Sequence, residues 1–498
     1  MLKILSRCSL VFCLFSLFLT GNSRLAIAQS TDDNFDRFNI DPIKDFTIPS
    51  LDLRDIEDLL NNNNLDPNLI LTIEQAQKVL VAIEEQAEEK PALIYVSFTP
   101  PGYQAKNIDL DFARREITNS QEYSQVGIKK ENLPTIVNVE PRDNYILDLL
   151  LITGKEPPVR LTVPVTYQEV VANATDLWIK ISDVFFLNDS YKPYATKLYS
   201  WLIEPLESEL KKRKISNLLF ILPTEIRFTP MSALYDANEA KFLVEKYSSG
   251  LAPSLNLNNN LYRPIKDLKL LTMGASNFAD PNVVPLPAVS LELPTVKQVW
   301  GDESVTNYQP YINQNFTFSN LQANLDKTAY GIVHLGTHGD FNPDQSEESF
   351  IQLYNAKLEL NKIRELGLNE PLVELMVLSA CETAFGDEMA ELGFAGLAVQ
   401  AGVKTAMGTV WQVSDTGTLA LMTDFYQQLK MRSTKGEALR QAQLNMLYQR
   451  VYKTQTGDAI ITPKRQVSLQ SLPAESRYAE DFSHPFYWAP FTMIGNPW

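Results

Sequence analysis

Apolar positions along this chain follow two periods, and the element changes where the period changes. Between Thr72 and Glu89, the residues Ile73, Ala76, Val79, Leu80 and Ile83 recur at helical spacing. That predicts one amphipathic helix, with Thr72 as its cap and Pro91 beyond its end. The runs ALIYVSF (92–98), NYILDLLLI (144–152) and VRLTV (159–163) read as strands, the last two joined as a hairpin through Gly154 and Pro157-Pro158. Helical patterns follow at 166–186 and 191–214. Beyond them, LLFILP (218–223), LKLLTMG (268–274), GIVHLGTH (331–338), VELMVLSA (373–380) and TAMGTVW (405–411) alternate with helical stretches near 290–300, 318–328, 391–402, 415–431 and 435–452. Such strands are apolar throughout because both faces are buried, and parallel neighbours need crossovers that cover the sheet. The expected fold is therefore α/β, a mostly parallel sheet flanked by helices and preceded by a smaller α/β region. No period of 20–50 residues marks a solenoid. Residues 453–482 are polar, carry Pro463 and Pro473, and read as an excursion before the closing HPFYWAPFTMIGNPW.

The first residues read as an address. Lys3 and Arg7 precede an uncharged apolar run from Cys8 to Thr20, and Ala26-Ile27-Ala28 supplies small residues for a cleavage site. That run is shorter than the about 20 residues a spanning helix needs. A lipoprotein signal would want a small residue before its cysteine, and Cys13 follows Phe12. The expectation is an exported chain, periplasmic or extracellular, cut after Ala28 and without a stable membrane span afterwards. Residues 29–66, with Asn61-Asn62-Asn63-Asn64, form a polar lead-in. The expected organisation is a signal peptide over 1–28, a lead-in with one helix over 29–89, a small α/β subdomain over 90–190 and the main domain over 191–498.

Composition sharpens this picture in two places. With 498 residues and 45% hydrophobic content the chain can bury full cores, which excludes wholesale disorder and a small disulfide scaffold. The formal net charge is −16, and loss of Lys3, Arg7 and Arg24 with the signal takes it to −19. Nucleic acid is an unsuitable partner for such a chain, because phosphate binding draws on clustered cations. Cleavage also removes Cys8 and Cys13, so one cysteine, Cys381, remains in a compartment that permits disulfides. Packing as a small buried hydrophobe is one account of it; chemistry is the other.

Several chemistries lack their residues. There is no GxxxxGK[ST] loop, no GxSxG elbow and no HExxH helix, and one mature cysteine cannot make a CxxC pair. No cofactor is expected. His338 closes the strand run GIVHLGTH and is followed by Gly339, while Cys381 follows VELMVLSA. Open parallel sheets bind ligands outside the carboxyl ends of their strands, so two side chains 43 positions apart can meet there. A thiolate nucleophile needs a nearby imidazole to take its proton and later return one to a leaving amine. The amides of Gly339 and Cys381 are candidate oxyanion donors. His334 lies roughly 13 Å back along the strand and reads as a core histidine; His484, before Pro485, reads as a structural partner. A metal site from His334, His338 and Asp340 is disfavoured, since an i, i+4 pair adjoins on a helix and not on a strand.

These residues carry a resemblance. His338-Gly339 in IVHLGTHGDF, Ser379-Ala380-Cys381 in VLSACETAFGD, the block GFAGLAVQAGVKTAMGTVWQVSD (393–415) and the closing HPFYWAPFTMIG resemble the CHAT family, caspase-like domains often attached to tetratricopeptide repeats. LLFILPTEIRFTPMSALYD (218–236) and PLPAVSLELPTV (285–296) fit its upstream part, and the likeness spans roughly 190–498. The resemblance implies a relative of caspases, separases and gingipains, with His338 as general base and Cys381 as nucleophile. Tetratricopeptide repeats are not detectable, which leaves those relatives' usual way of docking partners without a counterpart. Peptidases of this clan are strict about the residue before the cut. Asp415 and Asp387 are candidates for a pocket acid favouring Arg or Lys, against plainer readings as a helix cap and a loop acid. Trp411 reads as core or pocket wall. The expected function is an exported caspase-like cysteine endopeptidase acting on protein or peptide substrates. The alternative is an interaction or scaffold protein on the same fold. A regulatory protein partner is compatible with either, and no residue identifies it.

Overall fold

The apolar runs become strands of a single large sheet. The computed structural model describes residues 73–102, 142–185, 187–252, 262–301, 311–340, 350–379, 398–399 and 401–498; the expected signal segment, the Asn-rich lead-in, Thr72, Cys381 and Asp387 lie outside them. Strands β1 (Pro91–Thr99), β2 (Ile146–Thr153), β3 (Val159–Thr166) and β4 (Asn217–Ile221) are followed by the short hairpin β5 (Tyr235–Asp236) and β6 (Lys241–Phe242). Next come β7 (Ser248–Leu251), β8 (Leu270–Gly274), β9 (Tyr311–Ile312) and β10 (Ile332–Gly336). The small sheet β11 (Gly339–Asp340), β12 (Phe350–Gln352) and β13 (Lys357–Glu359) precedes β14 (Leu375–Ser379) and β15 (Thr405–Thr409). The polar excursion folds into β16 (Tyr452–Lys453), β17 (Ala459–Ile461) and β18 (Gln466–Ser468), and β19 (Phe491–Gly495) closes the series. The large sheet runs β3-β2-β1-β4-β7-β19-β15-β14-β10-β8-β9.

Its strands are parallel within two blocks. From β9 to β15 the neighbours are parallel, as they are from β19 to β1; the antiparallel β15–β19 pair joins the blocks, and β2 and β3 add an antiparallel hairpin. The 90–190 region therefore extends the same sheet, through β1 pairing with β4 from Pro91↔Asn217 to Tyr95↔Ile221. The reason is in the side chains. β1 and β2 are apolar on both faces and need covering twice, whereas β3 alternates buried with exposed positions and can serve as the edge.

Helices supply that cover. Helix α1 (Ile73–Ala87) lays Leu80 and Ile83 on Leu93, Tyr95, Leu150 and Ile152, while the alternate residues Ile94 and Val96 enter the larger core with Val170 and Leu177 of α2 (Tyr167–Ile181). A capping box starts α2, Thr166 Oγ1 accepting from the Glu169 amide while the Glu169 carboxylate accepts from that of Thr166. The single helix expected over 191–214 is two: α3 (Lys192–Leu202) and α4 (Glu207–Arg213), with Pro205 in the 3-10 turn between them. Proline has no amide to continue the ladder. Further on, α5 (Val289–Trp300), α6 (Phe318–Lys327), α7 (Asp415–Leu429) and α8 (Lys435–Leu447) match the expected stretches, and α5 and α8 pack against α7. The stretch expected at 391–402 falls almost wholly outside the described residues. Among the described residues no helix is long and apolar enough to cross a membrane.

Where β8 meets β10 the backbones are in close contact. Gly274 pairs with Gly336, and a Cβ on Gly274 would lie inside contact distance of the Gly336 carbonyl oxygen. Gly274→Ala is expected to cost about 1–3 kcal/mol, the usual scale for overpacking. Chemical denaturation should show a lower midpoint with an unchanged slope; an unchanged midpoint would show that the two strands separate freely.

Candidate active site

Strand register decides which residues reach the same edge. β10 and β14 are parallel neighbours, with Ile332 opposite Leu375 and Gly336 opposite Ser379. The ladder extends one residue further, as the Thr337 amide donates to the Ser379 carbonyl at 3.4 Å. In sequence His338 is two residues past Gly336 and Cys381 two past Ser379, the partner of Gly336 in the ladder. His338 is described and partly buried; Cys381 and Asp387 lie outside the described residues.

The histidine is held from several sides. Its carbonyl accepts from the Gln352 amide at 2.9 Å, and its Nε2 is 2.6 Å from the Val284 carbonyl oxygen. A carbonyl can only accept, so Nε2 carries the hydrogen and the neutral ring presents Nδ1 as a base. The Phe278 ring lies 5.2 Å from the imidazole, centroid to centroid. Beyond the histidine, Gly339 pairs with Ile351 in the antiparallel β11–β12 ladder. Because the bond from Gln352 to His338 flanks that pair, it is of the non-hydrogen-bonded kind, and the Gly339 amide points away from β12. The β11–β12 ladder therefore does not use this amide, as the role of oxyanion donor requires.

Val284 and Phe278 belong to the loop 275–288 between β8 and α5. At its start Ala275 donates to the Gly336 carbonyl at 2.9 Å. The Ser276 amide, the Ser276 hydroxyl and the Asn277 amide all reach Asn313 Oδ1, at 2.9, 3.2 and 3.1 Å. In its middle Leu286 donates back to Ser276 at 3.0 Å. At its end the Ala288 amide donates to Asp415 Oδ2 at 2.8 Å.

Asp415 is therefore not the cap of its helix. Ser414 is, its Oγ accepting from the Gly417 amide at 3.1 Å, and Asp415 is the first residue inside α7. Burial pushes the Asp415 carboxyl up from 3.8 to about 7; the Ala288 amide opposes this, Glu292 and Glu480 add to it, and Lys453 opposes it. A carboxyl raised on folding contributes stability in full below its unfolded value of 3.8 and loses it as pH rises through about 7. The same corner holds a buried ion pair, Lys453 Nζ to Glu480 Oε2 at 2.7 Å, and Glu480 also accepts from Ser414 Oγ at 2.7 Å and from Thr416 Oγ1.

The other candidates have structural settings. His334 is fully buried, with Nδ1 3.0 Å from the Tyr426 hydroxyl and Nε2 2.8 Å from Glu292 Oε1. It sits in the core, away from the Val284 carbonyl that holds His338. Trp411 is buried and donates to the Phe486 carbonyl at 3.1 Å. His484 caps the turn Pro485–Trp488, its Nδ1 accepting from the Phe486 amide at 3.1 Å. Glu207, Asp236 and Glu239 come close enough together to suggest a cation site. The ammonium of Lys246 already lies among them, 2.7 Å from Glu207, 3.3 Å from Glu239 and in contact with Asp236. Sequence reasoning missed the loop 275–288 as the holder of His338. The contact is made by a backbone carbonyl 54 positions away, and no residue type signals that.

The model of the CHAT domain matches residues 192–496. No curated protein sequence matches the chain. Among solved structures, the Saccharomyces cerevisiae separase–securin complex is similar with a TM-score of 0.44 and 10% identity, over 85% of this chain and 31% of that one. The chain thus spans less than a third of that relative. The Arg-specific cysteine proteinase gingipain R is similar with a TM-score of 0.37 and 10% identity, over 66% of this chain and 74% of that one. The complex of Porphyromonas gingivalis RgpB pro- and mature domains gives 0.39 and 12%, over 66% and 76%.

Proposed function

Because the chain belongs to the CHAT domain family, with its domain over residues 192–496, we propose that it is a cysteine endopeptidase cleaving protein or peptide substrates with Cys381 as nucleophile and His338 as general base. The observation that carries this reading is the parallel pairing of β10 with β14, which sets Gly336 opposite Ser379, each two positions before a candidate, with His338 held by Val284 so that Nδ1 is its basic nitrogen. In the proposed reaction His338 Nδ1 takes the Cys381 thiol proton, and the thiolate attacks the scissile carbonyl carbon. The Gly339 and Cys381 amides hold the oxyanion. Its collapse breaks the C–N bond as the imidazolium protonates the departing amine. Water, deprotonated by His338, then attacks the thioester, and the thiol and free carboxyl product are restored.

Export belongs to the same proposal, resting on Lys3, Arg7, the apolar run to Thr20 and Ala26-Ile27-Ala28. With Asp415 turned onto the Ala288 amide, Asp387 is the acid left to favour Arg or Lys before the cut. A peptidyl probe with a thiol-reactive warhead tests the reading directly. Labelling at Cys381 that is lost in His338→Ala is expected, together with turnover of one class within a library varied at the residue before the cut. Absence of labelling and turnover in folded protein would favour the interaction-module reading instead. Loss of an Arg or Lys preference in Asp387→Asn would identify the pocket acid.

A further inference from the structure

We propose that Asp415 is a positioning residue for His338, acting through the loop 275–288 and not on substrate. This rests on the reading of His338 as the general base. The connection has two hydrogen bonds: Asp415 Oδ2 accepts from the Ala288 amide at 2.8 Å, and four residues earlier the Val284 carbonyl accepts from His338 Nε2 at 2.6 Å. Between and before them stand Pro281, Pro285 and Pro287, which stiffen the loop and supply no amide hydrogen. Toward the start of the loop the Ala275 amide donates to Gly336 and the Ala279 amide to Tyr354, while past Val284 the Leu286 amide turns back to Ser276 within the loop itself. The Asn313 carboxamide adds to the hold on its start, and on the Val284 side the Ala288 amide, donating to Asp415, is the bond that ties the loop to another element.

The other end of the connection is firmly seated. Ser414 and Thr416, on either side of Asp415, both donate to Glu480, and Glu480 is paired with the buried ammonium of Lys453. The groups facing Asp415 are thus Glu292 of α5, Glu480 and Lys453, and its hydrogen-bond partner is a backbone amide. A carboxyl group buried beside two other acids is a costly acceptor for one backbone amide. Retaining it there is the trade of stability for a set geometry that functional sites commonly show. The same engagement argues against a specificity role, since a pocket acid must turn toward the substrate cation.

The test compares Asp415→Ala with Asp415→Asn, whose carboxamide oxygen can still accept from Ala288. Two readouts are taken: kcat and KM on the best peptide, and the imidazole nitrogen-15 shifts of His338, assigned by their loss in His338→Ala. Asp415→Ala is expected to lower kcat about 10- to 100-fold, as misplacement of a catalytic group does, with KM within about twofold. The Nε2–H tautomer of His338 should be lost alongside. Asp415→Asn should recover kcat to within about threefold and restore the tautomer. Should Asp415→Ala fail to fold, Asp415→Ser replaces it, being polar but too short to reach Ala288. Unchanged kcat and unchanged His338 signals in the truncated variant would overturn the proposal. So would an Asp415→Asn enzyme with raised KM and a lost Arg or Lys preference, which would make Asp415 a pocket acid. If the wild-type protein turns over no peptide yet the imidazole signals move as expected, the base reading fails while the positioning stands.

Discussion

His338→Ala is expected to lower kcat/KM for peptide hydrolysis by about 10²- to 10⁴-fold, the span that loss of a general acid–base group covers. The fold should hardly notice. His338 stands past the end of β10, is partly exposed, and among the described residues its ring bonds to the Val284 carbonyl and touches Phe278. Carbonyl groups near solvent find water when a donor is removed, so the denaturation midpoint should stay close to that of the wild type. Steady-state kinetics on the preferred peptide, run beside a thermal melt, separate the two effects. Activity within threefold of the wild type would end the base assignment.

Four residues earlier the same substitution should do the opposite. His334 is fully buried and both of its ring nitrogens are engaged, with Tyr426 of α7 and Glu292 of α5. Truncation leaves Glu292, itself 1% exposed, without its imidazole partner and opens a cavity between the two helices and β10. Removing one member of a buried ionisable pair costs about 3–5 kcal/mol, a large part of a domain's net stability. His334→Ala should therefore unfold at much lower denaturant or accumulate poorly. Whatever folded fraction remains should keep His338 in place. A loss below about 1 kcal/mol, the scale of an ordinary solvated contact, would show that water enters and solvates Glu292.

The contrast between these histidines could be read before any coordinates, because strand spacing places one inside the sheet and the other at its edge. Much of the frame is legible in the same way. The uniformly apolar runs become β4, β8, β10, β14 and β15, and the helical periods recover α5 through α8 to within a few residues. Where one expected helix became two, a local cause accounts for it, Pro205 between α3 and α4. The closing HPFYWAPFTMIG shows the limit. Its apolar content announces burial, but nothing in it says that β19 lies between β7 and β15 and joins two blocks of opposite direction.

Asp415 marks the same limit at the site. From sequence it stands before a helix and after a strand, which suits a cap or a pocket acid equally; neighbouring Ser414 takes the cap, and the carboxylate turns to an amide 127 positions away. Periodicity, caps and short motifs are properties of residues near one another in the chain, so the sequence by itself determined most of the long elements and the α/β class, and singled out His338 and Cys381 as candidates. Which strands became neighbours, and which backbone carbonyl orients the imidazole, depends on surfaces that exist only once the elements are packed. Burial and hydrogen bonding across that packing assign a role to groups, such as the Val284 carbonyl, that every residue in the chain possesses. Tertiary structure alone decided those roles.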